Sequence, residues 1–152
     1  MKIIVDANII FSAILNSNGK IGDLLINSDD YFAFIAPEFL RLEIAKHYKK
    51  LSKISGLSID NIKKSERIIT QKISFIAPEI INKSIWNSAA KLVEDIDPND
   101  TMYIALSKHT KSKIWSGDKK LTAGLNAKNF KNIISTNQLF DLRENLLNKN
   151  IP

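Results

Sequence analysis

Apolar residues along the chain fall into short β-branched runs separated by longer stretches with helical spacing. Lys2 to Asp6 carries Ile3, Ile4 and Val5 and predicts a short buried strand. Asn8 to Leu15 and Ile21 to Ile26 then read as helical pieces on either side of the turn-forming stretch Asn16 to Gly19. Phe32 to Ala36 predicts a second buried strand. Pro37 follows where a first helical turn accepts proline, and Leu40, Ile44, Tyr48 and Leu51 recur on one helical face, so a single long helix is predicted up to Gly56. Ser58 or Asp60 can cap the next helix, whose sparser apolar side is Ile62, Ile69 and Ile73.

Beyond it, a helix is predicted from Glu79 to Val93. The polar stretch Asp95 to Asp100 breaks that pattern and starts another helix, Pro98 to Thr110. Lys113 to Ser116 and Asn132 to Ser135 read as further strands, and a last helix runs from Asn137 to Leu147. Strands separated by helical crossovers predict an α/β fold, a parallel sheet of about four to five strands with helices on both faces. No repeat, low-complexity tract or linker interrupts the pattern, so residues 1–150 are expected to form one domain.

Composition changes this picture in two ways. The chain has no cysteine, which removes disulfides and thiolate metal sites from consideration. Its 22 Lys and Arg against 16 Asp and Glu leave a formal charge of +6, which favours a polyanionic partner such as nucleic acid, although the lysines are scattered and form no basic tail. The opening MKIIVDANII is too short and too polar for a secretory segment, and nowhere do about 18 apolar residues run together. A soluble, cytoplasmic protein with no membrane partner is expected.

Four acidic residues stand where this pattern could put chemistry, and each has a structural alternative. Asp6 ends the first strand; it either caps the helix near Asn8 or faces the crevice beyond the strand ends. Glu43 borders the apolar face of its helix, as an edge residue whose stem covers the core or as a ligand reaching into a cleft, with His47 one turn on as a pairing partner. In Asp97-Pro98-Asn99-Asp100 the first aspartate suits an N-cap, while Asp100 can serve the helix start and still face a cation. Asp118 follows the strand Lys113 to Ser116, either as a turn residue or as a second carboxylate at a strand's carboxyl end. Carboxylates converging in one cleft must protonate, spread or hold a cation, and hard oxygen donors suit Mg²⁺ or Mn²⁺. In a basic protein, that combination points to phosphodiester hydrolysis.

These residues, in this order, resemble the PIN-domain nuclease family, including the VapC-type toxin ribonucleases and their relatives. Ile3-Ile4-Val5-Asp6-Ala7-Asn8 resembles the family's first strand and aspartate, and Glu43 resembles the acid in the helix after the second strand. Asp100 followed by Thr101 to Leu106 resembles the third acid and its helix, and Trp115-Ser116-Gly117-Asp118 the fourth with its hydroxyl neighbour. The resemblance implies a PIN-like, Rossmann-like three-layer fold and an endoribonuclease using Mg²⁺ or Mn²⁺. It makes Asp6, Glu43, Asp100 and Asp118 the catalytic and metal-binding set, with Asn8 and Ser116 orienting ligands or waters behind it. Lys119 and Lys120 stand where some relatives carry another acid; there they could contact the substrate backbone. The resemblance also implies RNA as substrate, the toxin half of a toxin–antitoxin pair, an antitoxin protein over the cleft, and homodimerisation. The alternative is a catalytically inactive PIN-like RNA-binding or assembly module.

Overall fold

Residues 1–151 are described by a computed structural model. The apolar runs form five strands, β1 (Lys2–Val5), β2 (Ala33–Pro37), β3 (Ile73–Ile76), β4 (Lys113–Trp115) and β5 (Ile133–Ile134). Nine α-helices connect or follow them among the described residues: α1 (Ala7–Leu15), α2 (Lys20–Asn27), α3 (Leu40–Lys46), α4 (Tyr48–Ser55), α5 (Ile59–Thr70), α6 (Lys83–Val93), α7 (Thr101–Thr110), α8 (Lys119–Ala127) and α9 (Thr136–Lys149). Every strand pair is parallel, in the order β3-β2-β1-β4-β5, with Ile4 registered against Ile35 on one side and Ile114 on the other. The fold is the expected α/β sandwich of a parallel sheet between helical layers.

The inner strands are buried on both faces and so are apolar at successive positions instead of alternating. Ile3, Ile4, Val5, Ile114 and Trp115 are all fully buried. Helix α7 is buried from Thr101 to Ser107 and packs on β1, β2 and β4, with α6 along its outer side. Helix α1 packs with α2, α4 and α5, and α9 docks on α2. That last contact is fixed by Arg143, which donates from Nη2 to Asp23 at 2.7 Å and from Nη1 to Ser28 at 3.2 Å. Among the described residues no single helix is long and apolar enough to cross a membrane. The apolar pair α1 and α2 is bent by 103° and buries its hydrophobic residues in the core.

Several boundaries differ from the sequence-based expectations for identifiable reasons. Pro37 closes β2 and does not start a helix, because the next N–H, that of Glu38, still bonds Ile76 across the sheet at 2.9 Å. The long helix predicted through Leu51 breaks at His47 (φ −103, ψ 6) into α3 and α4, while Leu40 and Ile44 before the break and Leu51 after it all stay buried. Gly56 does end it, with φ +74 in the left-handed region that favours glycine. Ser58, not Asp60, caps α5, accepting from the Asn61 N–H at 3.1 Å.

Ile73 belongs to the edge strand β3 and not, as its spacing from Ile62 and Ile69 predicts, to the preceding helix. Residues Pro78–Ile80 and Pro98–Asp100 are single 3₁₀ turns. The two helices after them therefore start late, at Lys83, with Asn82 as cap, and at Thr101. Helix α8 was not anticipated, since Leu121 and Leu125 alone supply its buried side.

Candidate active site

In an open parallel sheet the crevice forms where consecutive connections leave a central strand in opposite directions. From β1 the chain moves outward through β2 to β3, then returns to place β4 and β5 on the other side, so this point lies between the carboxyl ends of β1 and β4. Asp6 follows β1 and Asp118 follows β4 after Ser116 and Gly117. The 3₁₀ turn before α7 supplies Asp97, Asn99 and Asp100, and α3 supplies Glu43. Together with Asn8 and Tyr103 these acids line one cleft of about 530 Å³.

Each side chain reaches that cleft for a local reason. Asp6 stands at the N-cap position of α1 but makes no capping hydrogen bond with its side chain. Instead the Ser116 hydroxyl donates to its Oδ2 at 2.7 Å, and the same hydroxyl accepts from the Asp118 N–H at 3.0 Å. Ser116 is itself buried, so one hydroxyl ties the two strand ends together. Asp118 is the cap of α8, its Oδ1 accepting from the Leu121 N–H at 3.0 Å. Asp100, at the junction of the 3₁₀ turn and α7, caps nothing, because Asp97 has taken that role through the Asn99 N–H at 3.0 Å. The Asp100 carboxylate is thus left facing the cleft.

The charges respond to this crowding. The Asp100 carboxyl is pushed up to about 7, first by burial and then by the negative charges of Asp97, Asp6 and Asp118. Burial also raises Asp6, with Asp118 adding to the effect and the Ser116 hydrogen bond and nearby backbone N–H groups opposing it. The Tyr103 phenol is driven upward by burial and by the charge of Asp6, so it stays protonated; its oxygen accepts from the Ala7 N–H at 3.2 Å.

The residues singled out in the sequence are therefore brought together unequally. Asp6, Asp100, Asp118 and Glu43 share the cleft, and Asn8 stands exposed on its wall. Glu43 is an outer member, 39% exposed, with Lys46 at 3.3 Å and His47 at 3.9 Å. Lys119 and Lys120 are exposed on the first turn of α8 and do not line the cleft. Asp97, read from the sequence as a cap, is one and also contributes to the charge of the cleft. Tyr103 was not singled out; its position three residues after Asp100, one turn along the same helix, was the available signal.

A divalent cation is the counter-charge to which such a donor set is suited, since the acids offer oxygen alone. Yet among the described residues no three acidic or imidazole side chains converge closely enough to grip an ion as they stand. Two of the four acids are engaged elsewhere, Asp118 with the α8 cap and Glu43 with Lys46 and His47.

The family model described as the PIN domain matches residues 4–138, a span that holds all of these acids. No curated protein matches the chain.

Proposed function

The chain belongs to the PIN-domain family, a nuclease-type fold, and from that premise we propose that it is a metal-dependent endoribonuclease hydrolysing RNA phosphodiester bonds. The observation that carries this reading is the gathering of Asp6, Asp97, Asp100 and Asp118 in one cleft, where burial and the neighbouring charges push Asp100 up to about 7. Negative charge gathered at the switch point of a protein with net charge +6 is unfavourable until a cation or a proton neutralises it. Asp6, Asp100 and Asp118 would hold Mg²⁺ or Mn²⁺, with Glu43 as the fourth member. Such an ion, when bound, supplies charge neutralisation at the phosphate and a water of lowered pKa.

The chain's own residues set the conditions for that step. Ser116 holds the Asp6 carboxylate and the Asp118 backbone in fixed relation, which limits the reorganisation needed at the reacting phosphate. The exposed amide of Asn8 is available to a water or a substrate oxygen at the mouth. Lys119 and Lys120 lie outside the cleft and would attract the polyanion as surface charges. Residues 1–150 would work as one nuclease domain in the cytoplasm, as the toxin of a toxin–antitoxin pair, with an antitoxin over the cleft and a second copy of the chain as partners.

Incubating the purified protein with single-stranded and structured RNA in Mg²⁺, in Mn²⁺ and in chelator tests the proposal. Cleavage is expected with either ion, and none with chelator or in Asp6→Asn, Asp100→Asn or Asp118→Asn. Unchanged cleavage in two of the three variants would remove the proposed site. A second reading, an RNA-binding or assembly module without turnover, draws support from the spacing of the acids, no three of which converge on an ion position among the described residues. RNA binding without cleavage in both ions would establish it.

A further inference from the structure

Three cavities follow one another along the carboxyl rim of the sheet in strand order. Beyond β2 and β3 lies a groove of about 530 Å³ lined by Phe39, Leu42, Trp86 and Met102, flanked by Arg41 and by Glu38 and Glu79. The acidic cleft comes next, beyond β1 and β4. Beyond β4 and β5 lies a cavity of about 510 Å³ whose wall includes Ser116, Lys119, Thr122, Thr136 and Asn137. Five strands at about 4.8 Å spacing make a rim of about 19 Å, long enough for a few nucleotides laid across the strand ends.

Resting on the nuclease reading above, we propose that the groove beside Phe39 is a nucleobase subsite, holding an unpaired base next to the phosphate to be cleaved in a single-stranded nucleic acid. Phe39 belongs to the walls of both the groove and the acidic cleft; it is 40% exposed and set edge-on to Tyr103 at 6.0 Å. Helix α7 joins the two in the same way, sending Met102 into the groove and Tyr103 into the cleft. A base leaving the cleft therefore meets aromatic surface at once. Trp86 on α6 is only partly buried and offers a stacking face, which is sequence-tolerant because every base has a π-face. Arg41 is laid over the Phe75 ring at 4.1 Å, which holds its planar cation beside the groove.

The polar rim argues for a base over a phosphate. Glu38 and Glu79 make no ion pair among the described residues. Their charge repels phosphate, yet a carboxylate accepts hydrogen bonds from the N–H groups on a base edge. Phosphate belongs instead toward Lys119, whose cation stands at the cavity beyond β4 and β5, so the strand is polarised along the rim.

The chain has two tryptophans, and Trp115 is fully buried, so quenching by a bound strand reports on Trp86. In chelator, where no cleavage is expected, the protein would be titrated with an oligouridylate of about six nucleotides and with versions lacking one base at each position in turn. Removal of one particular base should weaken binding roughly 5- to 150-fold, with little effect from the others. Trp86→Phe should bind but lose the quench. Trp86→Ala, and Leu42→Glu at an exposed position on the groove wall, should weaken binding and raise KM for cleavage with kcat little changed. If every abasic strand binds alike, or Trp86→Ala cleaves with an unchanged KM, the subsite is overturned while the nuclease reading stands. If Trp86 fluorescence instead changes with protein concentration alone as a dimer forms, the groove belongs to a second copy and the proposal fails. If no strand binds and no RNA is cut, both readings fail together.

Discussion

The Ser116 hydroxyl donates to Oδ2 of Asp6 over 2.7 Å although 110 positions separate the two residues in the chain. This bond favours the charged form of Asp6, against a burial that disfavours it. Ser116→Ala should raise the Asp6 pKa further and leave the Asp118 N–H without its acceptor. The acid limb of the pH–rate profile should move to higher pH, and stability should fall by about 1–3 kcal/mol. Ser116→Thr should recover most of both. A profile that does not move in Ser116→Ala would show that the Asp6 charge is set without this hydroxyl.

Asp100 should make the metal-free protein less stable as pH rises. Its folded-state pKa lies near 7 and its ordinary value is 3.8, so between these the folded chain keeps a proton that the unfolded chain has released. Stability from this group is fully present below about pH 4, is lost progressively toward pH 7, and stays lost above it. The raised carboxyl of Asp6 acts in the same direction. In chelator, Asp100→Asn should flatten that slope and melt at or above the parent temperature near neutrality. Mg²⁺ or Mn²⁺ should reverse the order, because an ion at 100 times its dissociation constant stabilises the folded state by about 2.7 kcal/mol, or several degrees. Equal metal-induced shifts in parent and variant, measured by scanning calorimetry, would show that Asp100 does not share in metal binding.

Asp97 has two roles that substitution can separate. Asp97→Ala removes the hydrogen bond to the Asn99 N–H and should cost about 0.5–2 kcal/mol. Asp97→Ser restores an acceptor without the charge, so the fold should recover while the Asp100 pKa drops toward the ordinary carboxyl range. Carboxyl titration by NMR would follow it directly. If Asp97→Ser folds normally yet abolishes cleavage as fully as Asp100→Asn, Asp97 belongs to the catalytic set.

Most of the last helix lies beyond the span matched by the family model, and its attachment rests on a buried cation. Arg143→Ala leaves Ser28 without its partner and Asp23 with Asn27 alone, and should cost about 1.5–3 kcal/mol in denaturant unfolding. Since the hydrogen bond from Asn27, and after it the one from Arg143, hold the Asp23 carboxyl below its ordinary range, the Arg143 part of that stability should disappear as the parent is acidified through the depressed pKa. A variant whose unfolding midpoint matches the parent at neutral pH would mean that α9 is held by its apolar contacts alone.

The parallel sheet was legible in the sequence because buried strands carry unbroken apolar runs, and the gathering of acids in one cleft because Asp6 directly follows one such run and Asp118 stands three residues beyond another. Less legible were elements whose burial is partial. Strand β3 exposes Ser74 and only half-buries Phe75 and Ile76, and α8 buries two leucines, so neither imposes a strong period. The break at His47 left no trace, since the buried face of Leu40, Ile44 and Leu51 runs on through it. Asp97 shows a different limit. Local chemistry identified its cap correctly, but its effect on Asp100 depends on tertiary placement, which adjacent residues do not encode.

Pairing of β1 with β4 also sets the order in which the protein can come into being. Ile3, Ile4 and Val5 leave the ribosome well before Lys113 to Trp115, their partners on one side. Until then β1 has an open edge toward the missing strand, a template for mispairing with other chains. Asp6 meanwhile lacks both its Ser116 partner and Asp118. A nascent chain carrying Asp6, Glu43 and Asp100 is therefore still inert on this reading, and a fragment ending before Lys113 should aggregate without ever cutting its own message.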